Sequence, residues 1–166
     1  ISAYILPPIL ARIRQEAPRL RVEVISSNTL SDLRGREADI AIRHVRPEQP
    51  DLIGRLIRES TACFYASRQW VARNGHPRRA QDAAGTDFVG FDRSERYGDH
   101  LRGLGIETTP DRFPMLSENS VVTWQMVRQG LGIGAMMREI GDATADVVRV
   151  LEAYKRVWSG TIKVFQ

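Results

Sequence analysis

Ser117, Asn119 and Ser120 stand directly before an apolar-periodic run, and their side chains are of the kind that grips a small polar or anionic molecule. Val121, Trp124, Val127 and Leu131 follow at helical spacing, so the three polar residues mark a helix start. The first N–H groups of a helix lack intrahelical partners, and either an anion or a capping side chain can satisfy them. Capping is the commonest use of Ser and Asn there, so the spacing supports both roles. A second polar group, Ser26, Ser27, Asn28 and Thr29, closes the alternating segment Leu20–Ile25.

Covalent chemistry finds less support. The chain has no Gly-x-Ser-x-Gly, and its histidines are His44, His76 and His100. A nucleophilic triad needs a Ser or Cys on a strained turn with His in reach, and none is legible. No histidine lies within metal-ligand spacing of another or of Cys63, so no metal site is expected. His44 follows an apolar run and is read as a hydrogen-bonding residue, not a general base. Gly130, Gly132 and Ala135 match the spacing of a dinucleotide fingerprint. That fingerprint must follow a strand and open a helix, whereas here a helix precedes the glycines and a strand follows. No nicotinamide or flavin is expected, nor any other cofactor.

The elements that position these residues alternate between strand and helix, which makes an α/β protein. Pro7–Ala17 reads as a helix with prolines in its first turn, an apolar stripe of Leu6, Ile9, Leu10, Ile13 and Ala17, and a stop at Pro18. Leu20–Ile25 alternates as a strand, a short helix follows around Leu30–Arg36, and Asp39–Ile42 is a second buried strand. If those two strands are parallel in one sheet, their crossover is right-handed. Leu52–Ile57 and Ala62–Ala66 read as two strands, then Arg68–Arg73 as a helix broken at Asn74–Pro77. A short helix at Gln81–Ala84, a strand at Phe88–Phe91, a helix at Glu95–Leu104 and a strand at Phe113–Leu116 lead to the Ser117 segment. Gly130 closes its helix and a strand resumes at Ile133–Met136; Val147–Leu151 and Thr161–Phe165 are further strands. Ligands of α/β sheets sit beyond the carboxyl ends of strands. The polar residues near such ends are Ser26–Thr29, Arg43, His44, Asp92, Arg93 and Ser117–Ser120. That set suggests binding without chemistry.

Composition is ordinary for a globular protein, and no apolar run approaches the ~20 residues that span a bilayer. The net charge of +4 comes from 24 basic and 20 acidic residues, with arginines recurring beside acids as at Arg58–Glu59. This patterning describes an ion-paired surface, not a nucleic-acid stripe. Cys63 is the single cysteine, so there is no disulfide framework. The chain opens at Ile1 inside a helix-like segment and reads as a fragment.

Five segments carry a resemblance by their order: Tyr4–Ile13, Pro18–Val24, Arg36–Arg43, Phe88–Phe91 and Val127–Gly134. Together they resemble the effector-binding domain of LysR-type transcriptional regulators over nearly the whole chain. The resemblance implies a two-lobed, periplasmic-binding-protein-like α/β fold, each lobe a mixed sheet flanked by helices. Two strands would cross between the lobes, near Cys63–Ser67 and Thr161–Phe165. Lobe one would be residues 1–65 plus 161–166, and lobe two residues 66–160. The implied function is effector sensing that modulates transcription from the cytoplasm of a bacterium. Its implied partners are a small-molecule effector, a second copy of the chain as homodimer or homotetramer, and DNA only through a winged helix-turn-helix domain absent from this chain; no membrane is implied. Matching the family's pocket loosely places Ser2, Ser26, Ser27, Asn28, Thr29, Arg43, Phe91, Asp92, Ser117, Asn119 and Ser120 around a small polar or anionic ligand. The alternatives are a solute-binding protein of a transporter, which shares the architecture, and an enzyme on the same fold.

Overall fold

The computed structural model describes residues 1–26, 38–43, 54–91, 95–154 and 158–165. The chain forms two compact units, Ile1–Ala41 and Ile42–Gln166. The expected helix around Leu30–Arg36 lies outside the described residues, as do Leu52 and His44.

In the first unit α1 spans Leu6–Glu16, with proline in its first turn, where no intrahelical N–H bond is lost. Arg12 pairs with Glu16 at 2.7 Å one turn on, and the Ala17 N–H closes the helix on the Ile13 carbonyl. The stripe of Leu6, Ile9, Leu10, Ile13 and Ala17 is not a buried face: no residue of α1 is buried, and Ile9 is 49% exposed. The expected strand at Leu20–Ile25 does not form. Among the described residues its backbone joins no ladder, and Leu20, Val22, Val24 and Ile25 are exposed. Alternation favours a pleated surface only when a neighbouring strand supplies hydrogen bonds and packing, and no described residue does so here.

The second unit is organised around one long strand. Where two strands were expected, β2 runs unbroken from Gly54 to Ser67. The five-stranded sheet has the order β1-β7-β2-β5, with β1 at Ala41–Arg43, β5 at Gly134–Met137 and β7 at Trp158–Phe165; β6 (Val147–Arg149) also pairs with β2. The neighbour of β1 is thus β7, and the expected parallel partner at Leu20–Ile25 is not part of this sheet. β7 runs antiparallel to the first part of β2, from Gly54 opposite Phe165 to Ala62 opposite Trp158, with an irregularity between Leu56 and Arg58. Tyr65 then faces Gly134 of β5 on one side and Arg149 of β6 on the other. This flanking explains the burial gradient along β2. Cys63 to Ser67 are buried, whereas Leu56 and Ile57 are more than half exposed.

The helices follow from local chemistry. Ser67 caps α2 (Arg68–Asn74), its hydroxyl accepting from the Trp70 N–H at 3.0 Å. A 3-10 turn at Ala80–Ala83 leads to β3 (Val89–Gly90), shorter than the expected Phe88–Phe91. α3 spans Arg96–Gly103, and a second 3-10 turn at Pro110–Arg112 precedes β4 (Met115–Leu116). α4 spans Ser120–Arg128, and α5 (Arg138–Asp142) was not anticipated. β6 stops two residues before the expected Leu151, whose φ of +54° turns the chain out of the extended form. The core joins Phe64 and Ala66 of β2 to Trp70, Phe88, Tyr97, Leu101, Ile106, Ile133, Val150 and Leu151.

A polar network pins α5 to the sheet. The buried Tyr65 hydroxyl donates to Asp142 Oδ1 at 2.9 Å, and Arg149 grips the same carboxylate through Nε at 2.6 Å and through Nη2. Burial, then the bond to Asp142, raises the Tyr65 pKa, so the phenol stays protonated. Arg149 holds the Asp142 carboxyl below its ordinary value of 3.8. A depressed folded-state pKa contributes stability that is complete above that ordinary value and is lost as pH falls through the lower folded value. We therefore expect chemical unfolding to show a stability plateau at neutral pH and a decline below about pH 4, and Asp142→Asn to flatten part of it. An unchanged acid slope in that variant would remove Asp142 from the account.

Candidate functional site

Phe91 and Ser117 are neighbours because β3 and β4 are parallel and in register. Val89 stands opposite Met115, Gly90 opposite Leu116, and the Ser117 N–H donates to the Gly90 carbonyl at 3.2 Å. A third parallel contact, Phe88 with Ile133, sets the start of β5 beside them. Phe91 and Ser117 each follow the last residue of a parallel strand, where α/β proteins place ligands. Gly90 leaves room for the Leu116 side chain: a Cβ on it would come within 2.3 Å of Leu116 Cδ2.

The chain enters α4 three residues later. Asn119 is the N-cap: its Oδ1 accepts from the N–H groups of Val121 at 2.9 Å and Val122 at 3.3 Å, and its carbonyl accepts from Thr123. Ser117 Oγ accepts from the Asn119 N–H at 3.2 Å. Asn119 Oδ1 and one lone pair of Ser117 Oγ are therefore spent on the backbone. The Asn119 Nδ2 group and the hydroxyl protons of Ser117 and Ser120 remain as donors, in a segment that also carries the Glu118 carboxylate. Met115, Leu116, Val121 and Val122 lie exposed in the same segment, so donors alternate with apolar surface. At the far end Gly130, at φ +77°, donates to Val127 O while Leu131 donates to Met126 O, the paired bonds of a glycine helix stop. The glycine pair thus follows a helix and precedes β5, the reverse of a dinucleotide site.

Asn119 allows capping and ligand roles to be separated. Asn119→Ala is expected to lower stability by about 1 kcal/mol and Asn119→Gly by only a few tenths, because glycine is itself a tolerated cap. Thermal unfolding of both variants checks this, and equal losses would contradict it.

The other expected residues fall into separate groups. Ser26 Oγ donates to Ser2 Oγ at 3.2 Å within the first unit. Arg43 ends β1. Ser27, Asn28, Thr29 and Asp92 lie outside the described residues. Tyr97 was missed. It packs edge-to-face on Phe91, with ring centroids 5.1 Å apart, but sits in a stretch that reads only as a weak helix. The Tyr65–Asp142–Arg149 network was also missed, since nothing in the spacing links residues 77 positions apart. Among the described residues no group of three or more His, Cys, Asp or Glu is placed to hold a metal ion. None of their helices is long and apolar enough to cross a membrane.

Comparison with known proteins gives a consistent result. The regulatory domain of CrgA, a LysR-type transcriptional regulator from Neisseria meningitidis, superimposes with a TM-score of 0.82, covering 97% of this chain and 81% of that one at 19% identity. The full-length structure of the Vibrio cholerae virulence activator AphB superimposes at 0.72, covering 99% of this chain and 57% of that one at 20% identity. These matches show the fold, the periplasmic-binding-protein-like α/β fold of such regulatory domains. In sequence, the HTH-type transcriptional regulator CrgA of N. meningitidis is 28% identical over 88 residues, 53% of this chain and 29% of that protein. The chain thus matches less than a third of the length of that curated relative. The LysR substrate binding domain family model matches residues 1–161, and the chain is a member of that family.

Proposed function

We propose that the chain senses a small polar or anionic effector for a LysR-type transcriptional regulator. One observation carries the reading: at the carboxyl ends of parallel β3 and β4, Phe91 and Ser117 stand side by side and lead into the donors of Asn119 and Ser120. An acceptor-rich ligand end, such as a carboxylate, matches the Asn119 Nδ2 group and the Ser117 and Ser120 hydroxyl protons. Ser2, Ser26, Ser27, Asn28, Thr29, Arg43 and Asp92 belong to the same proposal. So does the division into a first lobe of residues 1–65 plus 161–166 and a second of 66–160, with the effector in the cleft between them.

In the whole regulator, effector binding would favour one arrangement of the lobes by the difference in its affinity for the two. That bias would reach DNA through a homodimer or homotetramer and a separate DNA-reading domain, in the cytoplasm. Calorimetry against a panel of small carboxylates and neutral polar metabolites tests the ligand. A bound carboxylate should lose about tenfold in affinity in Asn119→Gly, a loss of 1.4 kcal/mol that fits one charge-assisted bond. Binding confined to cations or lipids, or binding indifferent to Asn119, Ser117 and Ser120 together, would overturn it.

A further inference from the structure

We propose that the hydroxyl of Tyr97, whose ring packs on Phe91, is a recognition donor taken up by a neutral carbonyl or ether oxygen on a ligand with an apolar frame. The proposal rests on the effector-site reading above and adds a residue and a ligand chemistry to it. Tyr97 lies near the start of α3 and is 6% exposed. Its ring packs edge-on to Phe91 at 5.1 Å and to Phe113 at 5.8 Å between centroids. Among the described residues its hydroxyl has no hydrogen-bond partner. Buried polar groups are nearly always paired, and an unpaired one is a net cost to the fold. A phenylalanine would fill the same volume without that cost, so the hydroxyl calls for a use outside the packing.

The surroundings select the partner. Phe91 is half-buried and follows β3 beside Ser117, so the ring that packs on Tyr97 also adjoins the candidate site. Burial alone raises the Tyr97 pKa, with no charged neighbour contributing, and the phenol remains a donor through the physiological range. A carboxylate brought to it would be a buried charge facing the Phe91 and Phe113 rings, which is strongly unfavourable. A neutral carbonyl or ether oxygen meets the donor without that penalty, and an aromatic or aliphatic frame suits the Phe91 and Phe113 rings. A ligand carrying both groups would direct its anionic end to Ser117, Asn119 and Ser120.

The test uses protein carrying 13C at the tyrosine Cζ, with acetophenone and benzoate as probes that share one ring but present a ketone or a carboxylate. Acetophenone should shift one tyrosine signal, the one missing from Tyr97→Phe, and benzoate should leave that signal in place. Tyr97→Phe should bind acetophenone about tenfold more weakly, the loss of one good hydrogen bond. Its melting temperature should equal or exceed that of the wild type. An unmoved Tyr97 signal, equal acetophenone affinity, or a variant that melts lower would each overturn the proposal, the last by showing a structural partner for the hydroxyl. A carboxylate that still binds in an Asn119-dependent way would leave the effector-site reading intact while the Tyr97 role fell.

Discussion

Phe64→Ala should lower the unfolding free energy by about 3–5 kcal/mol, the range for removing a buried aromatic ring. Phe64 sits in the part of β2 flanked on both edges, opposite Ala135, and is 1% exposed. Its ring meets Phe88 at 6.2 Å and Tyr154 at 6.4 Å, both edge-to-face, and its carbonyl accepts from the Val150 N–H. Truncation therefore opens a cavity where four segments distant in sequence converge, and rigid strand neighbours cannot close it. Ile57→Ala on the same strand is the control. That side chain is 57% exposed, and a loss under about 1 kcal/mol is expected. Denaturant unfolding followed by tryptophan fluorescence measures both. Similar losses at the two positions would show that β2 is not graded in burial as described.

Gly132→Ala should cost about 2–3 kcal/mol, as overpacking against an immobile neighbour does. A Cβ on Gly132 would lie 2.8 Å from the Asp87 carbonyl oxygen and 3.1 Å from its carbon, with Phe88 backbone at 3.2 Å. These are main-chain atoms held in place by Ile133 N–H donating to Asp87 O and by the Phe88–Ile133 bridge. No rotamer change can relieve the overlap. The same substitution at Gly103, where a Cβ meets nothing within 4 Å, should be neutral or stabilising, since alanine is the better helix former. Equal effects at the two glycines would refute the close-approach argument.

The two glycines of the Ser117–Met137 stretch show where sequence reading stops. Gly130 was legible, because a helix end followed by a strand needs a residue with positive φ, and local order in the chain supplies that context. The need at Gly132 was not legible, since the atoms that exclude a side chain belong to Asp87 and Phe88, more than forty residues away. Spacing alone even offered Gly132 a false role in a cofactor fingerprint.

The sequence by itself determined the α/β class, the helices α1 to α4, the capped entry to α4 and, through five ordered segments, the family. All of these are local: periodicity, caps and stops act within a few residues, so the chain states them directly. Which apolar stretches find partners depends on the assembled chain. Leu20–Ile25 has the pattern of a buried element yet stays exposed, the α1 stripe is at most half-buried, and β2 joins two expected strands into one. The same holds for the meeting of Asp142 and Arg149 with Tyr65 and for the packing of Tyr97 on Phe91. Burial and pairing depend on what another segment brings to the same place, and the free energy of each contact belongs to both partners, so neither stretch carries it alone.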